Sequence, residues 1–265
     1  MEGAIFGNFT NLFYLTLKNN KNWDILKHNT FLGLKKLESL IIDSNNIKEI
    51  QNGCFNSLFN LQVLQLTHNN FKILPDFVFN SNKDLTSLFI NNNHIEILEE
   101  HSLEGLNSVS LIDLSYNNIQ SLNTKVFCNL NQLQHLYLSH NSIQSISPSF
   151  QIENLKYLYL DNNDLQVVSP IFESENLSLI DLSSNKIREI DPSSFYSLRN
   201  LKTLSLKNNS ISTIYLSFEL PAVFGVQTIQ EEVRLHPGKR RLVPVELPPH
   251  YSLASRGLEG EGCQA

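Results

Sequence analysis

His135 and His140 lie five residues apart in the run Gln134-His135-Leu136-Tyr137-Leu138-Ser139-His140, with a phenol and a hydroxyl between them. Imidazoles this close invite a metal centre or a proton relay. A five-residue interval on a strand is not a metal-ligand spacing, however, and no acid or nucleophile is organised beside them. Asp113 and Asp181 hold the same place in a repeating pattern yet lie nearly three periods apart, too far to work as a carboxylate pair. No nucleophile elbow, HExxH run, phosphate loop or dinucleotide fingerprint occurs. Cys54 and Cys128 adjoin Phe55 and Phe127, three periods apart, and read as buried thiols that cannot bridge. The sequence therefore predicts no enzyme, no metal and no cofactor. What the same stretch does hold is aromatic surface: Phe89, Tyr116, Tyr137, Tyr157 and Tyr159, accompanied by His135, Asp113 and Asp161. Those residue types suit recognition of a partner.

A repeat positions these side chains. The frame L-x-x-L-x-L-x-x-N recurs nine times and closes at Asn20, Asn45, Asn69, Asn93, Asn117, Asn141, Asn163, Asn185 and Asn209, at intervals of 25, 24, 24, 24, 24, 22, 22 and 24 residues. Such spacing is too regular for a globular core and too long for a coiled coil, and it predicts a solenoid. One repeat displays the whole frame: Leu61, Leu64, Leu66, Asn69, Phe71 and Leu74, then Phe79. The leucines at offsets 1, 4 and 6 cannot share one helical stripe, whereas 4 and 6 sit on one face of a short strand. The asparagine falls where the chain leaves that strand. Its amide can accept and donate at once to backbone groups of the neighbouring coil, which would otherwise be buried unpaired at roughly 1–3 kcal/mol each. Offsets 11 and 14 bring the chain back across the interior. A phenylalanine column, Phe55, Phe79, Phe127, Phe150 and Phe195 with Leu103 standing in once, fills the far side. No single repeat can bury its own core, so stability requires stacking.

The columns resemble the typical 24-residue class of leucine-rich repeat, from Leu12 to Ile214, about 80% of the chain. The resemblance implies an α/β repeat solenoid: a horseshoe with a concave parallel β-sheet and short irregular, 3-10 or helical segments on its convex side. It also implies the setting of secreted and cell-surface recognition proteins, such as Toll-like receptor ectodomains and insect adhesion proteins. It implies no particular ligand.

Three parts are expected. Residues 1–11 read as the end of a truncated repeat, because Phe6 precedes Leu12 by six residues just as Phe55 precedes Leu61. Residues 12–214 hold the nine repeats. Residues 215–265 hold five of the nine prolines, five of the ten glycines and no asparagine, without a cysteine-rich cap, and are expected to be disordered. Lys239-Arg240-Arg241 within them reads as a solvated basic triplet. No basic-then-apolar run opens the chain as a secretory leader would, and no run of 18 apolar residues could span a bilayer. The composition, 41% hydrophobic and 17% charged, excludes a disordered chain as a whole. The net charge of −6 and the scatter of lysine and arginine argue against nucleic acid as a partner. Asn8-Phe9-Thr10, Asn176-Leu177-Ser178 and Asn208-Asn209-Ser210 are acceptable N-glycosylation triplets for a chain in the secretory route. Asparagine is about an eighth of the chain, so chance alone supplies nearly that many.

Offset 5 of the frame is free of the structural code and runs Thr16, Ile41, Gln65, Phe89, Asp113, Tyr137, Tyr159, Asp181, Ser205. Neighbouring offsets add Tyr116, His135, His140 and Tyr157. Repeats four to seven should thus gather Phe89, Tyr116, Tyr137, Tyr157 and Tyr159 into one concave patch, roughly 15 Å wide at ~4.8 Å per strand. Asp113, Asp161 and Asp181 flank it and favour a ligand carrying lysine or arginine. The plainer alternative is that aromatics simply suit strands. The expected function is a protein-binding scaffold that recognises a protein or peptide partner on its concave face, from an extracellular or cell-surface parent. Two alternatives stand beside it: a fragment of a Toll-like signalling receptor ectodomain, and a truncated product without independent function.

Overall fold

A computed structural model describes residues 5–147, 150–191 and 193–212. The segment expected to be disordered, residues 215–265, lies outside the described residues. Nine short strands pair in strict chain order into one parallel sheet. They are Tyr14–Lys18, Ser39–Asp43, Val63–Gln65, Ser87–Phe89, Leu111–Asp113, His135–Tyr137, Tyr157–Tyr159, Leu179–Asp181 and Thr203–Ser205. Register follows the frame: Leu40 faces Leu64, Leu64 faces Leu88, and Leu136 faces Leu158. In the strands from Val63 to Tyr159 the middle residue is buried and its two neighbours are half-exposed. Offset 4 therefore points into the core while offsets 3 and 5 face out, as the two-residue period of a strand requires.

Parallel neighbours cannot be joined by a tight turn, so each coil must return along an outer arc. That arc is built mainly of turns. It carries small two-stranded pairings, Ile25–Leu26 with Glu49–Ile50, Ser121–Asn123 with Ser145–Ser147, and Val167–Val168 with Glu189–Ile190. Of the helical segments the resemblance allows on the convex side, one occurs among the described residues: the 3-10 turn Thr124–Phe127, capped by the Asn123 side chain accepting from the Lys125 amide.

The core is continuous along the solenoid, with Leu61, Leu64, Leu66, Phe71, Leu74 and Phe79 all fully buried in one repeat. Behind the sheet the phenylalanines form two stacks. Phe6, Phe31, Phe55 and Phe79 follow one another at centroid separations of 6.0, 6.0 and 5.9 Å. Phe127, Phe150, Phe172 and Phe195 do so at 6.4, 6.1 and 5.9 Å. Leu103 separates the two. Phe31 and Phe172 thus belong to a column that the sequence reading described without them. Phe31 stands six residues before Leu37, as Phe55 stands before Leu61, so its place was readable. Phe172 stands five residues before Leu177, just as Phe150 stands before Leu155 in the other 22-residue repeat, so its place was readable too.

Candidate recognition site

The strand exits are held by the asparagines. Asn117 Nδ2 donates to Ile90 O of the preceding coil at 3.1 Å and to Leu114 O and Ser115 O of its own coil at 3.0 and 3.3 Å. Its Oδ1 accepts the Ile95 N–H at 2.9 Å. The same acceptor role recurs at Asn69, Asn141, Asn163, Asn185 and Asn209 toward the amides of Ile47, Ile119, Ile143, Leu165 and Ile187. Asn45 Oδ1 accepts from the Asn20 amide instead. Asn93 departs from the pattern. Its Nδ2 donates to Leu66 O and Ile90 O, but its Oδ1 is buried with no partner.

A second column went unnoticed in the sequence. The residue before every one of the nine asparagines has a positive φ, between 52° and 60°: Asn19, Ser44, His68, Asn92, Tyr116, His140, Asn162, Ser184 and Asn208. This left-handed region is open to asparagine and forbidding to β-branched side chains, and the column contains four asparagines and no valine, isoleucine or threonine. Where that residue is itself asparagine, in Asn19-Asn20, Asn92-Asn93, Asn162-Asn163 and Asn208-Asn209, the two side by side fill two roles, a left-handed turn and a ladder rung. The column also moves Tyr116 and His140 out of the strand row and onto the strand exits. Their rings stack on each other at 4.2 Å and 8°.

Of the expected concave patch, the structure brings together the residues of the sixth and seventh strands. His135 stacks on Tyr157 at 4.6 Å, and Tyr137 stacks on Tyr159 at 4.7 Å with only 4° between planes. His135 and Tyr137, on one strand, lie 6.5 Å apart. The four rings form a half-buried tile. Phe89 lies outside it, because Asp113 stands between Phe89 and Tyr137 in the sheet register. Asp181 follows Tyr159 on the other side. The row is thus a half-buried carboxylate, two stacked phenols and a second, buried carboxylate.

Each carboxylate is fixed by the same local bond: Asp113 Oδ1 accepts from Ser115 N–H and Asp181 Oδ1 from Ser183 N–H, both at 2.9 Å. Asp161, two residues past Tyr159 in the same coil, accepts from the Ser139 hydroxyl and from Asn162 Nδ2. Burial holds the Asp113 carboxyl above its ordinary range, outweighing the stabilising hydrogen bonds from Ser115. Burial, then the neighbouring Tyr137 and Asp181, push the Tyr159 phenol up to about 12. Tyr137 is raised by burial and by Asp113. His135 is lowered by burial and by Lys156, which keeps its ring uncharged at neutral pH. The tile is therefore a neutral aromatic surface set between acids. Its chemistry is contact, stacking and attraction of cations. Among the described residues no cluster of three or more histidine, cysteine or acidic side chains could hold a metal ion. Asn8, Asn176 and Asn208 are all exposed; Asn208 lies at the exit of the last strand, three residues past Ser205.

Stacked parallel coils, an asparagine ladder and an outward row free of structural duty define a repeat solenoid of the scaffold class. The family pattern described as leucine rich repeat matches residues 35–79, 59–119, 109–165 and 175–223. The chain belongs to the leucine-rich repeat family. No curated protein matches it by sequence. Among solved structures it is similar to a chain of the TLR13–ssRNA13 complex, at 28% identity over 78% of this chain and 30% of that one, with a TM-score of 0.72. It is also similar in fold to a chain of the glycosylated Toll–Spatzle complex of Drosophila, at 24% identity, 78% and 28% coverage and a TM-score of 0.74. A third is the octameric complex of Latrophilin 3, Unc5D and the leucine-rich repeats of FLRT2, at 24% identity, 82% and 70% coverage and a TM-score of 0.71. The chain spans less than a third of the first two structures' chains. No helix among the described residues is long and apolar enough to cross a membrane.

Proposed function

We propose that this solenoid recognises a protein or peptide segment carrying lysine or arginine, seated on the sixth and seventh strands of its concave sheet, and performs no reaction on it. One observation carries this reading: two stacked aromatic pairs on adjacent strands, Tyr137–Tyr159 set between Asp113 and Asp181 in one row, and His135–Tyr157 beside it in the next. Ring stacking of this kind contributes about 0.5–1.5 kcal/mol per pair. It also holds the tyrosines in place before a partner arrives, which lowers the ordering cost of binding. Tyrosine presents large area and a polar tip with few rotatable bonds, and the acids supply charge complementarity. The RNA of the TLR13 complex is not carried over to this chain, since Asp113, Asp161 and Asp181 would repel phosphates.

The setting we assign is an extracellular or cell-surface parent, supported by the resemblance to Toll-like receptor ectodomains and by the exposed triplets at Asn8, Asn176 and Asn208. The similarity to TLR13 favours a second reading, a portion of a Toll-like signalling receptor, which would use the same concave row. Selection of displayed random peptides on the folded chain, followed by calorimetry of the enriched sequences, tests the site. Enrichment in lysine and arginine is expected. The paired change Tyr137→Ala and Tyr159→Ala should then weaken binding by more than about 2 kcal/mol. Affinity unchanged in that variant would remove the tile from the account. A glycosidase-dependent mass shift of the endogenous protein tests the setting, and its absence would count against secretion.

A further inference from the structure

At position 17 of the frame, on the outer arc, the second repeat places Gly53 at φ +79° and the third places Phe77 at φ +59°. Glycine takes up that left-handed backbone freely. Phenylalanine does so only against the crowding of its own Cβ, and a bulky residue held there needs surroundings that fix it. Those surroundings are present. The Phe77 N–H donates to His101 O at 3.0 Å, the His101 N–H donates to Asp76 Oδ1 at 3.2 Å, and the two rings stack at 5.0 Å and 13°. The arrangement does not bury the ring, which remains 47% exposed.

Beside it Ile73 and Ile97 bridge the same two coils and are 57% and 54% exposed. Elsewhere among the described residues the paired positions carry Ile25 with Glu49, Ser121 with Ser145, and Val167 with Glu189, so a pairing of two apolar side chains there is confined to repeats three and four. Its charged rim is acidic on the fourth repeat, beside His101, while Lys125 holds the position of His101 one repeat on. Lys72 is tied to Glu96 at 2.7 Å. Glu99 and Glu100 are exposed and carry carboxylates with no hydrogen bond or ion pair among the described residues.

We propose that Ile73, Phe77, Ile97 and His101 form a second docking surface, on the outer arc and away from the concave tile, for a protein segment that presents an apolar side chain flanked by arginine. The isoleucines receive the apolar side chain. A guanidinium stacks on the free face of Phe77, as planar cations do on aromatic rings, and Glu99 and Glu100 neutralise it. Core packing gives no reason to keep an exposed phenylalanine in a strained turn where the preceding repeat uses glycine. A contact surface does, because strain retained at a binding site is offset by the contact it permits.

The probe is a fluorescein-labelled peptide with a central Leu-Leu and two arginines on each side, with a glutamate-flanked version and a serine-centred version as controls. Anisotropy is measured against the unaltered chain, Phe77→Gly and Ile97→Ser. Phe77→Gly is informative because glycine fits the backbone already present. Saturable binding of the arginine-flanked peptide is expected, weakened about tenfold or more by either substitution, with Phe77→Gly melting at or above the unaltered temperature. Absence of saturable binding, equal binding of either control peptide, or binding unchanged in Phe77→Gly would each overturn the proposal. A melting temperature lowered by several degrees in Phe77→Gly would make the ring a structural element and overturn it equally. A probe released instead by Tyr137→Ala with Tyr159→Ala has found the concave tile, which also refutes the outer surface.

Discussion

Replacing Asn117 by alanine should destabilise the solenoid more than the same replacement at Asn93, although the two occupy equivalent rungs and are almost equally buried. In both variants three donor bonds vanish, and in both the abandoned carbonyls keep another partner. For Asn117, Leu114 O retains the Asn141 amide group, Ser115 O retains the Asn92 N–H, and Ile90 O retains Asn93 Nδ2. For Asn93, Leu66 O retains Asn69 Nδ2, Ile90 O retains Asn117 Nδ2, and Asn91 O retains the His68 N–H. The difference lies in Oδ1. That of Asn117 accepts the N–H of the fully buried Ile95, whereas that of Asn93 accepts nothing. Only Asn117→Ala therefore orphans a buried donor, which costs about 1–3 kcal/mol. At roughly 2–4 °C per kcal/mol for a domain of this size, the melting temperatures of the two variants should differ by about 2–12 °C, with Asn117→Ala the lower. Calorimetry of both, with hydrogen exchange at the Ile95 amide, makes the comparison. Equal losses, or an Ile95 amide that already exchanges freely in the unaltered chain, would refute the reasoning.

The Asp113 carboxyl is held above its ordinary range by burial, so the folded chain binds that proton more tightly than the unfolded one. Its favourable contribution is complete below the unfolded value and is lost as pH rises through the folded value. Asp113→Asn should accordingly melt higher than the unaltered chain at pH 7 and close to it at pH 3, while binding lysine- or arginine-rich peptides less well; a lower melting temperature at pH 7 would contradict this. Burial also drives the Cys54 thiol far above its usual range, whereas Cys128 is only half-buried. Brief treatment of the folded protein with iodoacetamide should leave Cys54 unmodified by mass spectrometry while Cys128 reacts, since the thiolate is the reactive form. Early labelling of Cys54 would show that the core opens more readily than its packing indicates.

The backbone of this molecule was open to reading because its information is written nine times. A leucine column at offsets 1, 4 and 6 has one physical solution, and its repetition removed every competing period. The left-handed column was equally repeated but harder to see, since asparagine, serine, histidine and tyrosine share no hydropathy. What they share is the absence of a branched Cβ, and that signal was available in the four places where an asparagine precedes the rung, at Asn19, Asn92, Asn162 and Asn208. The site was less legible. Tyr137, Tyr159, His135 and Tyr157 came together because each offset was assigned correctly to an outward strand face. Tyr116 did not join them, because its backbone conformation turns it onto the strand exit, and Phe89 is separated by the intervening Asp113. The outer surface around Phe77 escaped notice because a strained φ leaves no mark on composition.

The sixth and seventh repeats are two residues shorter than most, and both losses fall on either side of the phenylalanine column: Ile146 to Phe150 and Phe150 to Leu155 each span one residue fewer than Leu74 to Phe79 and Phe79 to Leu85. The sheet does not register the change, for Tyr157 still faces His135 on one side and Leu179 on the other. Length and alignment are thus carried by different sides of each coil. The sheet works as a ruler whose graduations are set by the ladder, and the outer arc is slack that can be taken in or let out. An engineer seeking to insert a tag or a label has a natural address beside the phenylalanine column. A single residue added between a strand and its asparagine would instead move that rung off the carbonyls and amide of the coil before it.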